Sequence, residues 1–344
     1  MRQQLGSVVR DEGRTRRRVT VLVGMAIACV LLTAATAQAA VISIGSVLPE
    51  GWTSKKFERT QTLFNTALPE AGSTLASPVT GAIVRWRVQG AVGGPFYLRV
   101  LRPNGKGAYE AAGKSAPAVP SGPGLVTFET NLKIQAGDLI GIDPTSENDE
   151  IGVKTESGAS YASIFPSPFE GTVNAPSKTF TGEEIELSAE VQPVPEIASI
   201  TPSFGSVTGG TVLTITGKNF TGASSVSFGT TPAAGFSVNS DTEITVTTPP
   251  SLRPGKADIS VTTFAGENVD TRFDDYVYRA CVVPAVKNKP LKRAKSLVRS
   301  RGCKVGHVKK VNAPDKKVGK VVKQNPPPGK ILAPGSRVRI NLGV

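Results

Sequence analysis

The sequence predicts a mainly β, multidomain protein. With 344 residues, the chain is long enough for two or three domains. It contains 36 Gly and 26 Pro, and its Val, Ile and Thr residues fall in short alternating runs, as is typical of strands joined by turns. Long stretches with the 3.6-residue period of a helix are rare. We therefore expect β-rich modules arranged in series along the chain.

Residues 1–39 have the composition of a secretory signal peptide. Arginines at positions 14, 16, 17 and 18 precede an apolar run over residues 19–32, and Ala37-Gln38-Ala39 has the pattern of a cleavage site. The apolar run is shorter than the roughly 20 residues that a membrane-spanning helix needs. The sequence therefore predicts export with cleavage after Ala39. The paired Arg16 and Arg17 leave the twin-arginine route open beside general secretion.

The chain has three cysteines. Cys29 lies inside the apolar run and would leave with the signal peptide. Cys281 and Cys303 would then be an even pair in an exported protein, where paired cysteines are usually oxidised. We expect a disulfide between them, which would close a loop of about 20 residues and contribute ~3 kcal/mol to stability in the chain-entropy model.

Charge is distributed unevenly along the chain. Residues 280–344 contain 17 Lys and Arg but a single acidic residue, Asp315, which gives a net charge of +16. Residues 41–279 contain 17 basic and 24 acidic residues, which gives a net charge of −7. The basic character of the protein is therefore a property of its C-terminal module.

Residues 41–192 predict a jelly-roll-like β-sandwich. Apolar and polar residues alternate over residues 84–89, 96–100 and 126–128, which is the period of half-buried strands. Strands that recur about every ten residues over a region of this length are typical of such folds. Trp86 is expected in the core. No motif assigns a role to this module, and two prolines at positions 193 and 195 make a short, stiff linker to the next one.

A second module is predicted over residues 195–279. The segment 200–205 (ITPSFG) leads to a Gly209-Gly210 turn and then to a strand in which Leu213 and Ile215 point inward, with Gly217 beginning the next turn. Later strands are expected around residues 226–229, 244–246, 259–261 and 276–278. This pattern resembles an IPT/TIG domain, and the resemblance implies an immunoglobulin-like β-sandwich.

Residues 280–344 predict a small α+β module. A helix is expected to begin at Pro290 and to end at Gly302, with an apolar stripe along one face. Two strands are expected to follow, around residues 319–324 and over residues 337–342, joined by a proline-rich turn. The last strand closes the module.

The order of these elements resembles the PASTA domain, the penicillin-binding-protein and serine/threonine-kinase associated module. The resemblance covers residues 281–344. Asn288 stands where the family usually has glycine, and asparagine tolerates a left-handed backbone. The cysteine pair is a second departure. The matching positions are Val283-Pro284, Ala294, Leu297, Gly302, Val305-Gly306, Gly319-x-Val321-x-x-Gln324-x-Pro326, Pro328-Gly329 and Gly335-Ser336-x-Val338.

The PASTA resemblance implies attachment to the cell envelope through peptidoglycan. The basic charge of the module would also attract an anionic cell-wall polymer. Nucleic acid is not expected as a partner, because residues 279–344 contain no Phe, Tyr or Trp on which bases could stack. A solvated, solubilising surface is the alternative explanation of the charges. The basic residues that would carry wall binding are Lys292, Arg293, Lys295, Lys309, Lys316, Lys317 and Lys320.

Little in the sequence indicates catalysis. The single histidine, His307, lies in the basic module and is expected at the surface near a strand rather than beside a nucleophile. Asp143, Glu147, Asp149 and Glu150 cluster in a predicted loop, where carboxylates could serve glycoside hydrolysis or hold calcium. Their spacing matches no calcium-loop pattern, so we expect a solvated acidic loop. No catalytic residue, metal or cofactor is assigned.

Three aromatic residues, Tyr161, Phe165 and Phe169, lie in and beside a stretch that contains proline and serine. Exposed in a loop, such rings could stack on sugars, because the faces of sugar rings are apolar. A domain this poor in aromatic residues needs them in its interior, so we expect all three in the core.

Together these features predict a secreted bacterial, non-catalytic binding protein that is associated with the cell envelope. The alternative is that residues 41–192 form a polysaccharide-active enzyme or an adhesin, with the other modules as targeting appendages or stalks. Activity of residues 41–192 that depends on Asp143 or Glu147 would favour the enzyme.

Overall fold

The structure, a computed structural model, describes residues 40–57 and 60–344. The predicted signal peptide, with Cys29, lies outside the described residues. The described chain is mainly β and contains three groups of sheets, each built around its own apolar core. The predicted fold class is therefore confirmed. No helix among the described residues is long and apolar enough to cross a membrane.

The first group is a β-sandwich of antiparallel strands. Its strands are β1 (Ile42–Gly45), β2 (Thr53–Lys56), β3 (Thr62–Ala67), β4 (Gly81–Val88), β5 (Phe96–Pro103), β6 (Tyr109–Lys114), β7 (Val126–Ile134), β8 (Leu139–Pro144), β9 (Glu150–Ile164), β10 (Val173–Asn174), β11 (Lys178–Ile185) and β12 (Leu187–Pro193). One sheet has the order β1-β12-β4-β7. The other has the order β10-β6-β5-β8-β3-β9-β11, with β2 beside β9.

The two sheets enclose one apolar core. Trp86 of the four-stranded sheet is 1% exposed, as predicted for a core residue, and packs on Phe128 with ring centroids 4.6 Å apart. Alternate residues of a strand point to opposite faces. Leu63 therefore enters this core, whereas its neighbour Phe64 joins a smaller apolar cluster on the other face of the eight-stranded sheet.

Glu190 on β12 lies between two arginines of β4. It accepts a hydrogen bond from Arg85 Nε at 2.8 Å and forms ion pairs with the guanidinium groups of Arg85 and Arg87. Burial would raise the pKa of this carboxyl, but the bonds with Arg85 and Arg87 hold its pKa below the ordinary value of 4.5. The ionised form is therefore favoured in the folded state.

We expect the cost of Glu190→Gln to depend on pH. Because the pKa of Glu190 is lower in the folded state, the stabilisation it supplies is present above the unfolded-state pKa and is lost as pH falls through the folded-state pKa. Urea unfolding should show the variant less stable than wild type at pH 7 and the difference much reduced at pH 3. An equal deficit at both pH values would contradict this origin.

The second group is also a sandwich. Its strands are β13 (Glu196–Thr201), β14 (Phe204–Ser206), β15 (Val212–Lys218), β16 (Ser225–Phe228), β17 (Thr231–Pro232), β18 (Gly235–Ser240), β19 (Glu243–Thr247), β20 (Gly255–Thr263), β21 (Gly266–Glu267) and β22 (Asp275–Arg279). One sheet has the order β13-β15-β19-β18. The other has the order β14-β22-β20-β16-β17, with β21 beside β20.

The core of the second sandwich agrees with the sequence pattern except at one glycine. Leu213 and Ile215 are buried, and the backbone of Gly209 and Gly210 has positive φ angles of 72° and 77° in the predicted turn. Gly217, however, lies inside β15 rather than in a turn. A Cβ atom there would stand 1.9 Å from the carbonyl oxygen of Glu196, so the glycine allows β13 to approach.

The third group combines a helix with a small sheet. Its elements are β23 (Cys281–Val282), α1 (Leu291–Ser300), β24 (Lys304–Val311), β25 (Val321–Asn325), β26 (Ile331–Leu332) and β27 (Arg337–Gly343). The sheet order is β24-β27-β25, and β23 pairs with β26. Ala294 and Val298 of α1 are fully buried in one cluster with Val338 and Ile340 of β27. The helix therefore covers one face of the sheet.

Most expectations for this module are confirmed. Gly302 ends the helix region with a φ of 71°, and Asn288 adopts a left-handed φ of 63°. Cys281 and Cys303 form the predicted disulfide, with Cα atoms 4.6 Å apart. The expectation of two strands after the helix was wrong, because four follow it. β24 runs parallel to β27 as a third strand of the sheet, and the short β26 pairs with β23.

Candidate functional site

The predicted wall-binding residues do not converge on one site. Six of the seven are exposed, and Lys295 is half-buried. Lys292, Arg293 and Lys295 lie on α1, and Lys309 lies on β24. The other three, Lys316, Lys317 and Lys320, lie in and after a short 3₁₀ turn, Asp315–Lys317.

A more compact basic surface lies on the side of the sheet away from α1, and we call it the open face. Val338 and Ile340 are buried under the helix, so Arg337 and Arg339 point to the opposite side of β27. Both arginines are exposed. Their neighbours in the strand register, Lys304 beside Arg337 and Asn325 beside Arg339, extend the open face across the sheet.

A β-bulge brings His307 to this surface. The register of β24 on β27 shifts between Val305 and Val308, which leaves Gly306 and His307 opposite Arg339. Gly306 permits the close approach, because a Cβ atom there would lie 3.1 Å from the carbonyl oxygen of Val338. His307 is exposed, as expected from the sequence, but it lies within β24 rather than beside a strand.

The open face contains a shallow cleft of about 460 Å³. Arginine guanidinium groups bind carboxylates and phosphates in a planar, two-pronged geometry. No Lys or Arg of residues 280–344, all of which the structure describes, is within ion-pair distance of a described carboxylate. The cleft therefore suits an anionic ligand. Its lining residues are Gly306, His307, Asn325, Pro326, Arg337 and Arg339.

Sequence reasoning missed this cleft for a local reason. The alternation of β27 already placed Arg337 and Arg339 on one face, but the bulge breaks the two-residue period of β24. Val305 and Val308 both pack against the core although they are three residues apart. The strand that carries His307 was therefore not recognised.

The acidic segment of the first sandwich was expected to be a solvated loop, and this expectation was wrong for two of its four carboxylates, Asp143 and Asp149. Asp143 lies at the end of β8 and is 4% exposed. It accepts a hydrogen bond from the Thr62 hydroxyl at 2.5 Å and one from Arg99 Nε at 3.1 Å, and Arg99 is itself 3% exposed. The carboxylate is thus held in a buried ion pair that cross-links β5 and β8.

Asp149 is also buried and has a structural role. Its Oδ1 accepts the N–H of Gly94 at 2.7 Å, and its Oδ2 accepts the N–H groups of Thr145 and Ser146 at 2.8 and 2.9 Å. Glu147 is exposed and Glu150 is half-buried. The four residues therefore do not present a cluster of free carboxylates.

The three aromatic residues that were expected in the core differ in burial. Tyr161 is fully buried in the core and stacks on Phe180 with ring centroids 4.5 Å apart, as expected. Phe165 is 45% exposed and Phe169 is 83% exposed, so the expectation of a core position was wrong for both. They lie in the loop between β9 and β10.

Comparison with known proteins agrees with the two C-terminal modules. The family model of the IPT/TIG domain matches residues 195–280, and that of the PASTA domain matches residues 282–343. No curated protein matches the chain. One solved structure that it resembles is the full extracellular region of Plexin A4, at 16% identity and a TM-score of 0.24, covering 63% of this chain and 18% of that one. The chain thus spans less than a fifth of that structure.

Both matched domains fit an extracellular or cell-envelope binding role. The first sandwich, residues 42–193, lies outside both matches. After this sandwich, the chain contains an IPT/TIG domain followed by a PASTA domain.

Proposed function

We propose that this protein is exported and attaches to the cell envelope without catalytic activity, binding peptidoglycan or an anionic wall polymer through its PASTA domain. The observation that carries the proposal is the open face of that domain, where Arg337, Arg339 and Lys304 are exposed and form no ion pair with a described carboxylate. Stem-peptide carboxylates and wall phosphates are the anionic groups that such a surface attracts.

The enzyme alternative has less support. Asp143, its main candidate acid, is buried and bonded to Arg99 and Thr62. Glu147 is exposed on the following loop. Glycoside hydrolysis usually requires two catalytic carboxyl groups that flank the bond to be cleaved. A carboxylate that is buried and ion-paired with an arginine is poorly placed to act as the acid or nucleophile of such a reaction.

A pair of variants tests the site. Arg337→Gln/Arg339→Gln removes two positive charges from the open face, and Lys292→Gln/Arg293→Gln removes two from the outer side of α1. A charge-assisted hydrogen bond contributes about 1.5–3 kcal/mol, so the open-face variant should bind purified walls at least about tenfold more weakly than wild type. It should also show a flatter dependence on salt.

The helix variant is the matched control, because it changes the net charge equally in the same domain. We expect it to lose clearly less affinity. Equal losses in the two variants would show that wall binding depends on overall charge rather than on the open face.

A further inference from the structure

Two glutamates are fully buried where the chain of the first sandwich passes from one sheet to the other. β11 ends at Ile185 in the eight-stranded sheet, and β12 begins at Leu187 in the four-stranded sheet. Ile185 points into the apolar core. Glu184 and Glu186 lie on either side of it, and each is 0% exposed. Residues two apart in an extended chain point to the same side, so the two carboxyls share one environment.

Three of their four carboxyl oxygens have no hydrogen-bond partner among the described residues. Glu184 Oε1 accepts the hydroxyl of Ser46 at 2.8 Å. Glu184 Oε2 and both oxygens of Glu186 are buried and unpartnered. Buried polar groups are nearly always satisfied, and a buried charge without a partner is very costly. A bound cation would remove this cost. Without one, burial and the neighbouring Glu184 raise the pKa of Glu186 to about 8, and burial also raises the pKa of Glu184.

The part of the chain that the structure describes supplies little positive charge here. Lys154 on β9 is the register partner of Glu184 and interacts electrostatically with both carboxyls. Its ammonium group is already bonded to Glu70 and lies 3.2 Å from Glu156. Among the described residues, one lysine therefore faces four glutamates, two of which are fully buried.

Another acidic group shows why the unpartnered oxygens matter. Asp258, Asp270 and Asp274 of the IPT/TIG domain each place an oxygen within 4.8 Å of the others. The buried member, Asp274, accepts the N–H of Thr271 and the amide of Asn268 at 3.1 Å. Its carboxylate is satisfied by the protein, whereas that of Glu186 is not.

We propose that Glu184 and Glu186 form a binding site for a divalent cation of the calcium class. Carboxylate oxygens are the ligands that hard cations prefer, and Ca²⁺ accepts both oxygens of one carboxylate. Glu186 supplies two oxygens and Glu184 supplies Oε2, with water completing the sphere. Ser46, directly after β1, donates a hydrogen bond to Glu184, so the site lies where the sheet crossing contacts the end of β1.

The test uses the full-length exported protein, treated with EGTA and then titrated with CaCl₂ at pH 8. The variant Glu186→Gln removes the bidentate ligand at nearly constant volume. Asp270→Asn, at an exposed position, disrupts the other acidic group and is the control. At ten times the Kd, Ca²⁺ should raise the Tm of wild type and of Asp270→Asn by about 3–6 °C. The Tm of Glu186→Gln should not change.

Direct calcium binding by wild type keeps the proposal testable even if Glu186→Gln fails to fold. We expect calorimetry to show binding with a Kd on the order of 10⁻⁴ to 10⁻³ M, as in other extracellular modules. No binding by the EGTA-treated wild type would mean that the two carboxyls are neutral acids, and the proposal would fail. A calcium response that Asp270→Asn loses and Glu186→Gln keeps would also overturn it.

Discussion

Asp143→Asn is expected to lower the free energy of unfolding of the first sandwich by about 3–5 kcal/mol, because removing one partner of a buried ion pair leaves the other charge uncompensated. Arg99 is 3% exposed and has Asp143 as its ion-pair partner. Asparagine can keep the hydrogen bond with Thr62 but cannot neutralise the guanidinium. Chemical denaturation followed by the fluorescence of Trp86, which is buried in the core of the same sandwich, measures the change.

Glu147→Gln is the control for this prediction. Glu147 is exposed in the same acidic segment, and exposed substitutions of this kind usually change stability by less than about 0.5 kcal/mol. Should Asp143→Asn prove as stable as wild type and instead abolish an activity on polysaccharide, the acid would be catalytic. The enzyme alternative for the first sandwich would then displace the present account.

Removing the disulfide should produce the second large effect. Cys281 and Cys303 are separated by 22 positions in the sequence, and cross-linking a loop of this size stabilises a small domain by about 3 kcal/mol in the chain-entropy model. The PASTA domain has a small core, to which both cysteines belong. Cys281→Ser/Cys303→Ser should therefore unfold this domain at a clearly lower temperature.

Hydrogen exchange resolves this effect by region. In the double variant, amides of β24, β25 and β27 should lose protection, whereas those of β15 and β19 in the IPT/TIG domain should keep it. Wild type treated with a reducing agent should behave like the variant. Unchanged protection in the PASTA strands would mean that the rest of the core holds the domain without the cross-link.

Local patterns in the sequence were enough to predict much of the fold. The alternation of Leu213 with Ile215 and of Val338 with Ile340 depends only on neighbouring residues, and all four are buried as expected. Gly302 and Asn288 were recognised because they permit backbone angles that most residues avoid. The disulfide was predicted because two cysteines, an even number, lie outside the predicted signal peptide.

The features that were missed depend on contacts between distant parts of the chain. Asp143 was expected in a solvated loop, because nothing near it in the sequence indicates Arg99, 44 positions away. Ser46 and Glu184 are 138 positions apart. The cleft on the open face is formed by three adjacent strands. In one of them, β24, the bulge interrupts the two-residue alternation by which a strand is recognised in the sequence. Such pairings become visible only once the sheet order is known.

The central claim is that the PASTA domain holds this protein on the cell envelope through its unpaired basic charge. Co-sedimentation with purified bacterial cell walls tests it most directly, with walls used before and after removal of their anionic polymers and over a series of salt concentrations. Binding that survives on stripped walls identifies peptidoglycan as the ligand, and binding lost on stripping identifies the anionic polymers. The account predicts that wild type sediments with intact walls at low salt and that Arg337→Gln/Arg339→Gln sediments much less. Wild-type protein that stays in the supernatant with both kinds of wall at low salt would contradict it.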